Sequence, residues 1–236
     1  MEIYIADVEC LSDERLFLQK IELLPRERRE QIGRYRNAAD RRRGLGAGLL
    51  LEWGLRRRGL SLLADVPGTA QVQLAHGRYG KPYISQMECC SFNLSHAGDC
   101  VAAVFAEGDA GVDVERVRSS KLAMAGRVFT EKEQECLRAC RWPEWMPRIG
   151  EPGWHAETDL LFTGMWTRKE SYVKAVGEGM HLPFADFSVL ETSVGGCGDY
   201  HLATMGWRDD YIVSTCTRSP AVGKSAVLEI DLEEII

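Results

Sequence analysis

The sequence predicts an α+β protein built as two packed halves, and three features lead there. Strand-like and helix-like segments come in blocks rather than in a regular βαβ rhythm, which argues against one long parallel sheet. Near Val66 long helical stretches give way to short extended segments, and beyond Ser119 helices return before a final third of strands. A turn-forming run, Glu107-Gly108-Asp109-Ala110, lies near the middle of the 236 residues, so halves of 1–108 and 109–236 are expected. Each is long enough to bury a core.

Taken in order, Met1 to Val8 reads as the first strand. A helical stretch follows with Leu16, Ile21, Leu23 and Leu24 as its apolar set. Pro25 breaks it, because proline removes a helical hydrogen bond but suits a first turn, so a second helix starts there. Arg41 to Leu60 reads as another helix, with Leu45, Leu49, Leu50, Trp53 and Leu60 inward. Glycines at 44, 46 and 48 imply close approach of a neighbouring element or a ligand. Short strands are expected at Ala70–Leu74, Pro82–Ile84, Ser91–Leu94 and Cys100–Phe105, and residues 101–114 read as a hairpin. The chain is helical again from Ser119 to Cys140. A loop rich in proline, glycine and tryptophan spans Arg141 to Thr158, and a helix covers Phe162 to Val176. Strands are expected at Phe187–Glu191, Tyr200–Met205, Tyr211–Thr217 and Val227–Ile230.

The formal charge of −6, from 29 basic and 35 acidic side chains, disfavours nucleic acid and anionic membrane as partners. Yet arginines crowd between Arg26 and Arg43, a local excess that suits an anionic small molecule or an acidic protein; the same arginines could equally solvate two helices. The start of the chain lacks the features of a secretory signal, and no apolar stretch reaches membrane-spanning length, so a cytoplasmic location is expected. The eight cysteines form no C-x-x-C pair and have no histidine at zinc-finger spacing. Free thiols acting as small apolar side chains are expected instead.

Three groups can carry chemistry. In Gly111-Val112-Asp113-Val114-Glu115, strand alternation puts Asp113 and Glu115 on one face and the valines on the other. Paired carboxylates need a cation, a partner or solvent, and their hard oxygens suit magnesium completed by phosphates; a strand showing its acidic face to water fits as well. In Trp166 to Gly179, Glu170 and Lys174 lie one helical turn apart. As an exposed ion pair they would contribute only about 0.3–0.5 kcal/mol. In Phe92-Asn93-Leu94-Ser95-His96, Ser95 reads as a turn or cap residue and His96 as a hydrogen-bond donor to a phosphate. Upstream, Tyr79-Gly80-Lys81-Pro82 reads as a turn that fixes a lysine.

In chain order, Gly80-Lys81-Pro82, Phe92 to His96, Gly111 to Glu115, Phe129-Thr130 with Glu133, and Trp166 to Gly179 resemble the signature of the phosphopantetheinyl transferase superfamily. Leu182-Pro183-Phe184 with Phe187-Ser188-Val189 resembles the stretch that follows. The likeness is to the larger, monomeric type that activates peptide and polyketide synthetases of secondary metabolism. It implies two similar halves related by a pseudo-two-fold axis, with coenzyme A and Mg2+ held between them. The N-terminal half would supply coenzyme contacts and the C-terminal half the catalytic carboxylates.

By that resemblance Asp113, Glu115 and Glu170 would hold magnesium. Lys174 would contact the reacting phosphate, with Asp113, Glu170 and Lys174 as the catalytic set. Arg34, Arg36, Arg43, Lys81, Ser95, His96 and Lys169, together with Lys174, would seat the coenzyme. The phosphopantetheine arm would pass to a serine of an apo acyl, peptidyl or aryl carrier protein of a peptide, polyketide or fatty-acid synthase. The carrier would dock after Glu115 and near a helix beginning around Lys121. Gly33 and Gly44 depart from the family's pattern near the coenzyme contacts, and the Cys140–His155 segment has no counterpart in it. A magnesium-dependent phosphohydrolase, or a non-catalytic carrier- or nucleotide-binding module, would use the same residues; only a transferase needs an apo carrier.

Overall fold

The computed structural model describes residues 1–85, 90–119, 122–151, 153, 155–194, 200–218 and 226–235, without the side chains at 180 and 226. Cys89, Cys197 and Lys121, and the 152 and 154 positions of the segment before His155, lie outside the described residues. The chain divides into two compact units. One comprises Met1–Phe105 with Ser225–Ile236, the other Ala106–Lys224. The change of unit at Phe105 lies close to the expected boundary, but the last residues return to the first unit.

The chain begins with β1 (Glu2–Asp7), α1 (Glu14–Ile21), α2 (Arg26–Gly33) and α3 (Ala38–Arg56). Asp13 starts α1 by accepting from the Leu16 amide at 2.9 Å, and Asn37 starts α3 by accepting from Ala39 at 2.9 Å. Pro25 occupies the cap of α2 as its fixed φ predicts. Short strands follow: β2 (Leu60–Ser61), β3 (Ala70–Gln71), β4 (Leu74–His76) and β5 (Pro82–Ile84). Then come β6 (Ser91–Ala97), β7 (Cys100–Ala106) and β8 (Ala110–Arg116). The helices α4 (Ala125–Val128), α5 (Glu131–Arg138) and α6 (Glu157–Val176) lead to β9 (Ser193–Val194), β10 (Tyr200–Trp207), β11 (Tyr211–Thr217) and β12 (Ala226–Glu229).

In the first unit four strands form one sheet in the order β12-β1-β7-β6. β12 runs parallel to β1, with Ile3 opposite Val227, whereas β7 runs antiparallel to it, with Ile3 opposite Val104. Tyr4, Phe92 and Phe105 from the sheet join Leu45, Leu49 and Leu50 from α3 in one buried core. Contact is so close that a Cβ on Gly46 would lie 2.5 Å from Val8, and one on Gly54 2.2 Å from Phe105. At Gly46 and Gly54 the missing side chains thus make room for neighbouring elements of the fold. Near the end of the chain, buried Lys20 donates to the Glu233 and Ile235 carbonyls, both at 2.6 Å, and Leu232 and Ile235 are buried.

The second unit holds an antiparallel sheet in the order β8-β11-β10-β9, with α6 packed on it. Each unit thus has a four-stranded sheet and one long helix, which makes the protein α+β.

Several expectations are corrected. Residues 101–114 are not a hairpin: β7 pairs with β1, while β8 pairs with β11 of the other sheet. Phe187–Glu191 is not a strand, because its carbonyls are taken by Arg168 and Lys169 rather than by a neighbouring strand. Leu60 lies in β2 rather than on α3. The helix expected across 119–140 is interrupted at Thr130, which starts α5 through a capping box with Glu133.

Candidate active site at β8 and α6

The β8 strand places Val112 and Val114 in the core, Asp113 at 6% exposure, and Glu115 half-buried. A Cβ on Gly111 would lie 2.0 Å from the Ser171 carbonyl oxygen and 2.5 Å from the Ala175 amide nitrogen. Only glycine admits so close an approach of two backbones. That approach presses the turn of α6 containing Glu170 and Lys174 onto the strand carrying Asp113 and Glu115.

The consequence is a direct link. Lys174 Nζ lies 2.6 Å from Asp113 Oδ1 and donates to the Val112 carbonyl at 3.2 Å. Lys174 thereby joins helix to strand, a role beyond that of a surface partner for Glu170. Glu170, half-buried, sits one turn earlier on the same helix. A cationic ammonium and three carboxylates are thus carried by two adjoining backbone segments, a set able to engage a phosphoryl group and take up a proton.

Among the described residues, no group of three or more His, Cys, Asp or Glu side chains is gathered to hold a metal ion. Magnesium needs less, since one or two carboxylates commonly suffice when substrate phosphates and water complete its shell. The hard oxygen donors of Asp113 and Glu115 on one strand, with Glu170 on the adjoining helix, suit that ion chemically.

Lys169 has a different place from the one expected. It is fully buried, donating to the Phe184 and Phe187 carbonyls, both at 2.6 Å, and pairing with Glu133 at 2.9 Å. Its three N–H groups are consumed within the second unit, so it has none to offer a coenzyme phosphate. Burial lowers its pKa, and the Glu133 carboxylate opposes that shift. Glu133 also accepts from the Val189 amide and from Thr130 N, both at 2.8 Å.

Arg168 is buried as well. It donates to Val189 O at 2.8 Å, to Thr204 Oγ1 at 3.0 Å and to Glu191 O, and lies over the Trp145 ring at 4.0 Å. Burial pushes its pKa down to about 9. Sequence reasoning gave Arg168 no role. The two cations together fix the segment from Phe184 to Glu191.

In the first unit, Arg34, Arg36 and His96 are exposed, and Lys81 is half-buried at the end of the turn closed by Gly77 N donating to Lys81 O at 2.9 Å. Ser95 and His96 lie within β6 rather than in a turn, Ser95 at 7% exposure. Arg43 is brought to the β6–β7 connection, donating to Gly98 O at 2.9 Å and pairing with Asp40.

Residues 109–216 match the family profile described as the 4'-phosphopantetheinyl transferase superfamily, and residues 12–107 match that described as 4'-phosphopantetheinyl transferase, N-terminal. The chain is 30% identical to the 4'-phosphopantetheinyl transferase ffp of Bacillus subtilis over 163 residues, 69% of this chain and 64% of that one. Identity and coverage are the same for the 4'-phosphopantetheinyl transferase Sfp of Bacillus subtilis strain 168. The chain is 26% identical to the 4'-phosphopantetheinyl transferase psf-1 of Bacillus pumilus over 235 residues, 95% of this chain and 93% of that one. The matched stretch thus spans just under two thirds of the two Bacillus subtilis relatives.

Proposed function

The chain belongs to the 4'-phosphopantetheinyl transferase superfamily, and from that membership we propose that it moves the phosphopantetheine arm of coenzyme A onto a serine hydroxyl of an apo carrier protein. The bond between the serine oxygen and the pantetheine-bearing phosphorus forms, the pyrophosphate bond breaks, and adenosine 3',5'-bisphosphate leaves. The observation that carries this reading is the Lys174–Asp113 contact where α6 meets β8, with Glu115 two residues further along the strand and Glu170 one turn earlier on the helix.

In this reading Lys174 turns from Asp113 towards a phosphoryl oxygen and neutralises charge that develops there, the main contribution such sites make to phosphoryl transfer. Glu170 takes the serine proton on a carboxylate oxygen. Asp113, Glu115 and Glu170 are the residues that would hold Mg2+, which supplies charge neutralisation on the pyrophosphate when bound. Arg34, Arg36, Arg43, Lys81, Ser95 and His96 would seat the nucleotide; Lys169 is not among them. The surface that follows Glu115 would receive the carrier.

The test is incubation with coenzyme A, magnesium and apo peptidyl, acyl and aryl carriers, read by intact-protein mass spectrometry. One carrier serine should gain the mass of one phosphopantetheine. Absence of that gain with every carrier, from a folded protein, would overturn the reading.

A further inference from the structure

Within the second unit, α6 meets its sheet through polar groups as well as apolar ones. Thr167, Arg168 and Ser214 are fully buried. Ser214 Oγ, on β11, lies 2.8 Å from Thr167 Oγ1 on the helix and 3.1 Å from Thr204 Oγ1 on β10. Arg168 donates to Thr204 Oγ1 at 3.0 Å, and Thr167 donates to the Gly164 carbonyl at 3.0 Å.

The two ends of this chain of contacts assign the hydroxyl protons between them. A guanidinium can only donate, a carbonyl can only accept, and each hydroxyl has one proton to give. The Thr167 proton goes to Gly164, so Thr167 accepts from Ser214. Ser214 in turn accepts from Thr204, whose oxygen takes the N–H of Arg168. The hydrogen bonds therefore run one way, from Arg168 to Gly164, and all three hydroxyl protons are spent inside the network.

Ser214 also stands directly opposite Asp113 in the β8–β11 ladder. Opposed residues of an antiparallel pair share a face, here the face that α6 covers. On the helix, Thr167 precedes Glu170 by three residues, so the network joins helix to sheet within one turn of the candidate site. A fully satisfied buried network of this kind fixes one arrangement of the elements it links.

We propose that Thr167 and Ser214 are positioning residues for phosphopantetheine transfer, holding the turn of α6 that carries Glu170 and Lys174 in register with Asp113 and Glu115 on β8. This role rests on the transferase reading above, and the two hydroxyls act through those four residues rather than on the substrate.

Thr167→Val keeps the side chain's shape and removes the hydroxyl, whereas Thr167→Ser keeps the hydroxyl and drops a methyl group, so the pair separates hydrogen bonding from packing. Transfer kinetics are measured well below the melting temperature of each variant. Thr167→Val should lower kcat about ten- to a hundredfold, the scale of a misplaced reacting group, at unchanged KM for coenzyme A. Thr167→Ser should keep a kcat close to the parent's. Ser214→Ala should repeat the Thr167→Val pattern, and it replaces that variant should the latter fail to fold. Hydrogen exchange read by mass spectrometry follows the helix without any turnover: amides from 168 to 176 should exchange faster in Thr167→Val and Ser214→Ala than in the parent or in Thr167→Ser. Parental kcat in folded Thr167→Val or Ser214→Ala, or a Thr167→Ser protein as slow as Thr167→Val, would overturn the proposal. A parent chain that transfers nothing to any carrier would instead overturn the transferase reading; exchange then decides the positioning role alone, with unchanged rates overturning it.

Discussion

Glu170 and Lys169 are neighbours in the chain with opposite fates, because successive side chains on a helix point about 100° apart. Glu170 is half-buried on α6, the helix that packs on β8, and Lys169 is enclosed against Glu133, Phe184 and Phe187. Glu170→Gln preserves length while removing charge and basicity. If Glu170 takes the serine proton or holds the ion, transfer should fall by roughly two or more orders of magnitude, with the thermal midpoint unchanged. Magnesium titration then separates the duties: excess metal partly restores a lost ligand, whereas a lost base leaves metal dependence unchanged. A folded variant with parental kinetics would remove Glu170 from the site. Lys169→Met is expected to act differently. It strands the Glu133 carboxylate in the core, and breaking a buried pair costs about 3–5 kcal/mol, seen as a lower urea midpoint. The Asp113–Glu115 alternation and the Glu170–Lys174 spacing were legible in the sequence as local periodicities. The burial of Lys169 was not, because its partner lies 36 positions away and nothing local marks the pairing.

At the level of elements, the strands and helices with clear periodicity or caps fall close to where the sequence puts them. Pro25, the β11 run and the end of α6 at Gly177, with φ of 82°, are examples. Pairing was harder to read. Two apolar runs separated by Glu107-Gly108-Asp109 carry the local signature of a hairpin, but their partners are β1 and β11, both distant in sequence. Likewise, Phe187–Glu191 has strand composition, yet Arg168 and Lys169 claim its carbonyls. Gly111 illustrates an element contact that the sequence only suggests. Gly111→Ala would drive a methyl group into the Ser171 carbonyl, a backbone atom that cannot turn aside. The loss should exceed the ~1–3 kcal/mol of ordinary overpacking, and transfer activity should fall with it as α6 is pushed from β8. Denaturant titration of Gly111→Ala beside the parent chain measures this; an unchanged midpoint would contradict the close approach.

For the whole molecule, the second unit is one continuous stretch, whereas the first is assembled from two separated pieces of chain. Nothing local in the sequence marks this: β12 is a short apolar run that could pair with any open strand edge. Its parallel partner is β1, and Leu232 and Ile235 add buried surface worth about 3–6 kcal/mol together. Ending the chain at Lys224 should therefore lower or abolish the melting transition of the first unit in calorimetry while leaving a transition for the second. Loss of both would show that the second cannot fold without the removed residues. The same parallel pairing orders events during synthesis. Domains generally fold as they emerge from the ribosome, amino-terminal first. Here that order is reversed in part: the second unit has all its residues available while β1 still waits for a neighbour more than two hundred residues downstream. Until β12 emerges, one edge of the first sheet stays open in the nascent protein, and strand edges of that kind are where chaperones or stray β-pairing act.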